Sequence, residues 1–389
     1  MKQIILIVTL SFFELCNPAS AADITQIHSR DGATNTPGSS SIEEGKSHAN
    51  IAVVPDLRTN SGKLRSTVIT PHVECTIVPG TNILWCSAFQ YAWNELCDLA
   101  GGPITMVSQP SSVTILNKKA GEREDIDEMS CVAAAGLVDK GIYEKIRNEM
   151  KRKFNGKTDL HLNNSATPAG WVAYAYLFKE LPFQWAFTRS HETLAFEGYY
   201  VDSFGIDQLL QCQEDEPKMV SQVSIFDYNN ENDLIIELKT QAKEDRLILA
   251  KIPPAATLDK TIDLVERRIT ASEPAAMSEL ESLWVPVVNF DVLQEYSELC
   301  GKPICSTNKA IDGTSIIAAQ QSIRFRLDER GAVLKSEVMM ANALPIRDLI
   351  FDKPFLIMLK RKQSKNPYFA LWVGNAELLV PTKKKPVRD

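Results

Sequence analysis

No apolar run in the sequence reaches the ~20 residues that a membrane-spanning helix needs, so no helical span and no membrane partner is expected. Nor is there an excess of positive charge, because 42 Lys and Arg stand against 49 Asp and Glu, a net charge of −7 at pH 7. Such a chain has no bulk field for polyanions, and no nucleic-acid partner is expected. Histidine is scarce. Of five in 389 residues, His28, His48 and His72 fall in or beside a polar N-terminal stretch, which leaves His161 and His191 as candidate bases. His191-Glu192 opens like a zinc-protease motif, but Ala195 stands where the second His belongs. Gly-x-Ser-x-Gly, the phosphate-cradling loop ending in Gly-Lys-Ser/Thr, and Gly-x-Gly-x-x-Gly are all absent. Cys-x-x-Cys is absent too, which argues against zinc and dithiol redox chemistry. These absences together point away from an enzyme and from any metal or cofactor. No repeat of about 20–50 residues is visible, which excludes a solenoid or propeller.

What is present is an ordinary globular composition, 44% hydrophobic and 23% charged, enough to fill a large core. The N-terminus carries Lys2, an apolar stretch from Ile4 to Phe13 and the small-residue site Ala19-Ser20-Ala21, the layout of a cleaved secretory signal over residues 1–21. The mature protein is then expected to be secreted and extracellular, or periplasmic in a bacterium. Residues 22–74 begin with Ser, Thr, Asn, Gly and charge, including Asn35-Thr36-Pro37-Gly38-Ser39-Ser40-Ser41, and read as a flexible leader. A single domain over 75–382 and a basic tail over 383–389 follow. Of eight cysteines, Cys16 departs with the signal and seven remain, an odd number that cannot all pair. Cys300 and Cys305, across Gly301-Lys302-Pro303-Ile304, are the pair easiest to close in an oxidising compartment, the alternative being thiols that never pair. Cys86 and Cys97 sit eleven residues apart on one expected helix face. That separation is ~16 Å, too far to bridge.

Periodicity predicts helices over 82–99, with Phe89, Trp93, Leu96 and Ala100 on one face, and over 257–269. A third, over 141–154, carries a basic and solvated face of Lys145, Arg147, Lys151, Arg152 and Lys153. Trp171 to Phe178 is apolar at nearly every position, as in a strand buried on both faces. Meander strands are expected over 223–226, 234–238 and 247–251, and further strands over 283–293, 322–327, 354–360 and 368–373. Helices early and strands late describe an α+β domain.

Leu349-Ile350-Phe351-Asp352-Lys353-Pro354-Phe355-Leu356-Ile357-Met358-Leu359 resembles the serpin signature, an apolar strand interrupted by an acidic or amide residue, a base, Pro and Phe. Before it, Arg324-Phe325-Arg326-Leu327-Asp328-Glu329-Arg330-Gly331 resembles the strand that leads into the serpin reactive loop, and after it Tyr368-Phe369-Ala370-Leu371-Trp372-Val373-Gly374-Asn375 resembles the closing strand. Upstream, Asn82-Ile83-Leu84-Trp85-Cys86-Ser87 is similar to the opening of the family's central buried helix, and Tyr176-Leu177-Phe178-Lys179 to the end of a long sheet strand. The resemblance is loose over 80–381 and specific over about the last sixty residues. It implies a serpin-like α+β fold with a large five-stranded mixed sheet, two smaller sheets and eight or nine helices.

The resemblance further implies a monomeric, exposed-loop inhibitor of a serine or cysteine protease. In such proteins the cleaved loop inserts as a strand into the main sheet, and strain stored in the native fold drives the step. The loop hinge falls on Gly331, Ala332, Leu334, Lys335, Ser336 and Glu337, where the family prefers small side chains. A strand buries alternate residues. With Ala332, Leu334 and Ser336 inward, Lys335 and Glu337 stay in solvent; one residue's shift would bury both charges. Leu334 is large for such a slot, and the 19 residues between Gly331 and Phe351 make a loop shorter than the family's. The positions that govern sheet opening fall on Phe89, Tyr174 and Gln321, where an aromatic pair is expected to hold the sheet shut. The scissile bond is bracketed by Ala341, Asn342, Ala343, Leu344, Pro345, Ile346 and Arg347. An Ala-Leu bond suits elastase-like or chymotrypsin-like enzymes, and Arg347 a trypsin-like one. Because the hinge opposes insertion, the alternative is a non-inhibitory serpin-fold binding protein or protease substrate.

Overall fold

A computed structural model describes residues 3–11, 59–155, 170–190, 193–206, 216–330 and 347–382. In chain order these begin with β1 (Gln3–Ser11), β2 (Thr59–Asn60), β3 (Thr67–Thr70), β4 (Asn82–Cys86), α1 (Ala88–Ala100), β5 (Thr105–Met106), α2 (Ser111–Leu116), β6 (Cys131–Leu137) and α3 (Ile142–Phe154). Then come β7 (Gly170–Phe178), β8 (Thr188–Arg189), β9 (Leu194–Phe196), β10 (Tyr199–Val201), β11 (Ser203–Ile206), α4 (Glu216–Ser221), β12 (Val223–Asn230), β13 (Asp233–Leu238), β14 (Asp245–Lys251) and α5 (Leu258–Ala271). The chain closes with β15 (Ala275–Ala276), β16 (Ser282–Pro286), β17 (Val288–Glu295), β18 (Ile304–Cys305), β19 (Ser315–Leu327), β20 (Asp348–Ile350), β21 (Phe355–Arg361) and β22 (Phe369–Val373).

Three larger sheets result. The six-stranded sheet runs β2-β17-β19-β1-β7-β6, the eight-stranded sheet β15-β12-β13-β14-β21-β22-β4-β3, and the four-stranded sheet β20-β16-β11-β8. The alternation of side chains along each strand decides what lies on either face. In β7, Trp171, Ala173, Ala175 and Leu177 face the main core around α1, while Val172, Tyr174 and Tyr176 face the apolar side of α3, which is built from Ile142, Ile146, Met150 and Phe154. In β21, Phe355, Ile357 and Leu359 join the main core, and Leu356 and Met358 meet Ile262, Val265 and Ile269 of α5. Phe325 of β19 stacks on Phe369 of β22 with ring centroids 4.6 Å apart, so the six- and eight-stranded sheets share one interior.

The mixed α and β class follows expectation, but the counts do not. Among the described residues there are five α-helices rather than eight or nine, and the sheets have eight, six and four strands rather than a largest of five. The acidic stretch 122–130 forms two short 3-10 turns, and β1 and β2 are two of the six strands of the six-stranded sheet. The helix expected from residue 82 begins only at Ala88, because Ile83 and Trp85 face α5 while Leu84 and Cys86 face the main core, a strand's period of two. Phe89, Trp93, Leu96 and Ala100 are all buried, as their spacing predicts. The strand expected over 283–293 divides at Val287 into β16 and β17, which belong to different sheets. Residues 59–74, expected within the leader, carry β2, a 3-10 turn and β3. Gln3–Ser11, which takes in most of the Ile4–Phe13 stretch expected as the apolar part of a signal, forms β1 in the middle of the six-stranded sheet of the full chain. The basic tail 383–389 lies outside the described residues.

Candidate functional site: the two ends of residues 331–346

Hinge residues Gly331, Ala332, Leu334, Lys335, Ser336 and Glu337, and Ala341, Asn342, Ala343, Leu344, Pro345 and Ile346 of the scissile bracket, lie outside the described residues. The two ends of the segment are described, and each is clamped. At the upstream end Asp328 pairs with Arg326, and its Oδ1 accepts the Arg330 N–H at 3.0 Å, which turns the chain out of β19. The Glu329 carbonyl accepts the Phe187 N–H at 2.9 Å. Its carboxylate accepts Arg189 Nη1 at 2.8 Å, and Arg189 Nη2 reaches Asp202 at 2.6 Å.

At the downstream end Arg347 forms a two-pronged ion pair with Glu281, one prong from Nη2 to Oε2 at 3.1 Å. The Glu281 side chain is 0% exposed, and it also accepts the Ser278 N–H at 2.8 Å. The Arg347 guanidinium lies 5.8 Å from the centre of the Tyr228 ring. Past it, β20 pairs in parallel with β16, and Lys251, itself buried, binds Asp352 at 3.1 Å and the Ile350 carbonyl. Glu329 thus leaves β19 of the six-stranded sheet and is tied to β8 of the four-stranded sheet, the same sheet that β20 joins after Arg347.

The sheet-opening positions divide. Gln321 is fully buried; its Oε1 accepts the Tyr296 hydroxyl at 2.7 Å and its Nε2 donates to the Cys86 carbonyl at 3.2 Å. The Tyr296 ring meets Phe89 edge-on at 4.6 Å, so Phe89 and Gln321 belong to one contact chain beneath the sheet. Burial holds the Tyr296 hydroxyl well above its usual pKa, and it stays protonated as a donor. Tyr174 lies on the opposite face, its hydroxyl 3.9 Å from Met150 Sδ of α3. The aromatic partner of Phe89 is therefore Tyr296 and not Tyr174. Nothing in the sequence marks Tyr296, because only the long-range pairing of β17 with β19, Gln294 beside Gln321, brings it there.

The Cys300–Cys305 disulfide is not formed. Cys300 Sγ donates to the Tyr296 carbonyl at 3.6 Å, while Cys305 is exposed on β18, which pairs with β5. Burial pushes the Cys86 and Cys131 thiols up to about 12 and the Cys97 thiol up to about 11, so none of these three is a nucleophilic thiolate at neutral pH. Cys212 lies outside the described residues. Among the described residues no cluster of three or more His, Cys, Asp or Glu is placed to hold a metal ion, and no helix is long and apolar enough to cross a membrane.

No family model matches the chain, and no curated protein matches it. Among solved structures it is similar to serine protease inhibitor (serpin)-12 of Manduca sexta, at 12% sequence identity and a TM-score of 0.38. The match covers 61% of this chain and 66% of that one, just under two thirds. This is a weak likeness in fold to a serpin.

Proposed function

We propose that the chain is a secreted, serpin-like protein that presents residues 331–346 as bait to a serine or cysteine protease. The observation that carries this reading is the pair of clamps, Glu329 tied to Arg189 just before residues 331–346 and Arg347 tied to Glu281 just after them. A segment anchored at both ends is one that a protease could draw into its cleft. The clamp also narrows the scissile bond. Arg347 would have to leave the buried Glu281 to enter a trypsin-like pocket, and stranding a buried charge costs about 3–5 kcal/mol. The bracket therefore contracts to bonds between Ala341 and Ile346, with Ala343-Leu344 suited to an elastase-like or chymotrypsin-like enzyme.

Whether the cleaved loop traps its protease is a separate matter. The second reading, a substrate or non-inhibitory binder, is favoured by β1, which occupies the centre of the six-stranded sheet in the full chain, and by the bulk and charge of Leu334, Lys335 and Glu337. Incubation of the chain with elastase and chymotrypsin decides between them. A trapping inhibitor gives an acyl complex that survives boiling in detergent, whereas a substrate gives only two fragments. Survival of the 331–346 segment uncut by either enzyme would contradict both.

A further inference from the structure

Among the described residues β6 is an edge of the six-stranded sheet and pairs with β7 alone. In an antiparallel pair, the N–H and C=O of alternate residues point away from the partner strand. The Cys131 carbonyl marks that outward side, because side chains take it up, Arg123 Nη2 at 3.1 Å and Lys153 Nζ at 2.9 Å. The backbone groups of Ala133 and Ala135 point the same way, and among the described residues they meet no partner there. The strand reads Cys-Val-Ala-Ala-Ala-Gly-Leu and pairs without a register shift. It therefore has neither the charge, the Pro nor the bulge that keeps other edges from pairing. Two cavities open along it, both between β6 and α1. The first, about 230 Å³, has Ala133 on its strand side and sets Glu95, Asp98, Glu122 and Glu124 against Lys119 and Arg123. Lys119 stands 3.7 Å from Asp98. Burial pushes the Glu95 carboxyl up in spite of Arg123 nearby. The second, about 280 Å³, has Ala135 and Leu137 on its strand side, an apolar wall of Leu99, Ile142 and Trp171, and Lys140 and Lys145 beside it.

We propose that the outer edge of β6 docks an extended peptide of a protein partner, with a Lys or Arg in the acidic cavity and an apolar residue followed by an acidic one in the cavity of Trp171, Lys140 and Lys145. Ala133, Ala135 and Leu137 all face the side of the main core, where α1 lies. A strand laid beside them turns every second side chain to that same side, into the two cavities in succession. Charge complementarity selects the occupant: four carboxylates against two cations call for a base at one end, and two lysines over an apolar wall call for an acid at the other. Backbone pairing supplies affinity, and the cavities supply the choice of side chains. The edge shares no residue with the clamps of residues 331–346, so it stands apart from the bait reading.

The test titrates the full chain into two fluorescent peptides of reversed order, Thr-Lys-Thr-Leu-Thr-Glu-Thr and Thr-Glu-Thr-Leu-Thr-Lys-Thr, and follows anisotropy. One of them is expected to bind, and its order reports whether the added strand runs parallel or antiparallel to β6. The double variant Glu95→Gln, Asp98→Asn is expected to weaken that binding about tenfold or more. N-methylation of the peptide at Lys, Leu and Glu is expected to act oppositely to N-methylation at the Thr residues between them: one set abolishes binding and the other leaves it, because only alternate amides face β6. Amide exchange at Ala133 and Ala135 is expected to be fast in the chain alone and to slow about tenfold or more with saturating peptide. Failure of both peptides to bind would overturn the proposal, as would equal effects of the two methylation sets or unchanged affinity in the double variant. Full protection of Ala133 and Ala135 in the chain alone would show the edge already taken and would overturn it as well. The methylated peptides need no altered protein, so a variant that failed to fold would leave the proposal open to refutation.

Discussion

Gln321 has to satisfy a full amide inside an apolar interior, and it does so with two partners, the Tyr296 hydroxyl and the Cys86 carbonyl. A buried group stripped of its partner costs about 1–3 kcal/mol, more than the hydrogen bond itself contributes. Tyr296→Phe keeps the ring against Phe89 and removes only the donor. It should therefore lower the unfolding free energy by about 1–3 kcal/mol in urea titrations with an unchanged slope. No loss would mean that Gln321 Oε1 finds another donor, and that this contact does not brace the sheet. Phe89 and Gln321 were legible in the sequence as positions inside recognisable segments. Tyr296 was not, since its place depends on which strand β19 selects as neighbour. Tyr174 could be placed on β7 but not on a face, because a strand apolar on both sides carries no alternation to show which side is which.

At the scale of elements, Glu377 ties the C-terminal 3-10 turn to the start of β3. It accepts the N–H groups of Arg65 at 2.7 Å and Ser66 at 3.0 Å and the Thr67 hydroxyl at 2.7 Å. Burial pushes this carboxyl up, but the three donors outweigh that and hold its pKa below the usual carboxylate value. The sign follows from linkage: a group depressed in the folded state stabilises fully above its unfolded value, about 4.3, and loses that contribution as pH falls through the folded value. Glu377 is exposed, so the effect is modest. The drop in melting temperature between pH 5 and pH 3 should be smaller in Glu377→Gln than in the parent, and equal drops would show the carboxylate to be uninvolved. The strands best legible from sequence, β7, β21 and β22, are those buried on both faces, where apolar runs stand out. Helix starts and short edge strands were not, because β4 and the head of the α1 segment carry the same apolar residues and only their packing separates period two from period 3.6.

For the whole molecule, the α+β class could be read from the order of patterns, but the strand order could not. The pairing of Gln3 with Gly170 and Ser315 spans most of the chain, and no local rule reports it. The same holds for the clamps. Arg347 and Glu281 are charged residues far apart in sequence, and only the fold shows that their pairing holds the downstream end of the segment. The measurement that bears most directly on the bait reading is the position of the first cut in the folded domain, mapped by intact mass after brief digestion with elastase, chymotrypsin or trypsin. Elastase and chymotrypsin should cut first between Ala341 and Ile346, and trypsin should spare the Arg347-Asp348 bond while Arg347 is held by Glu281. A first cut elsewhere within residues 59–382, with 341–346 intact, or early tryptic cleavage after Arg347, would contradict it.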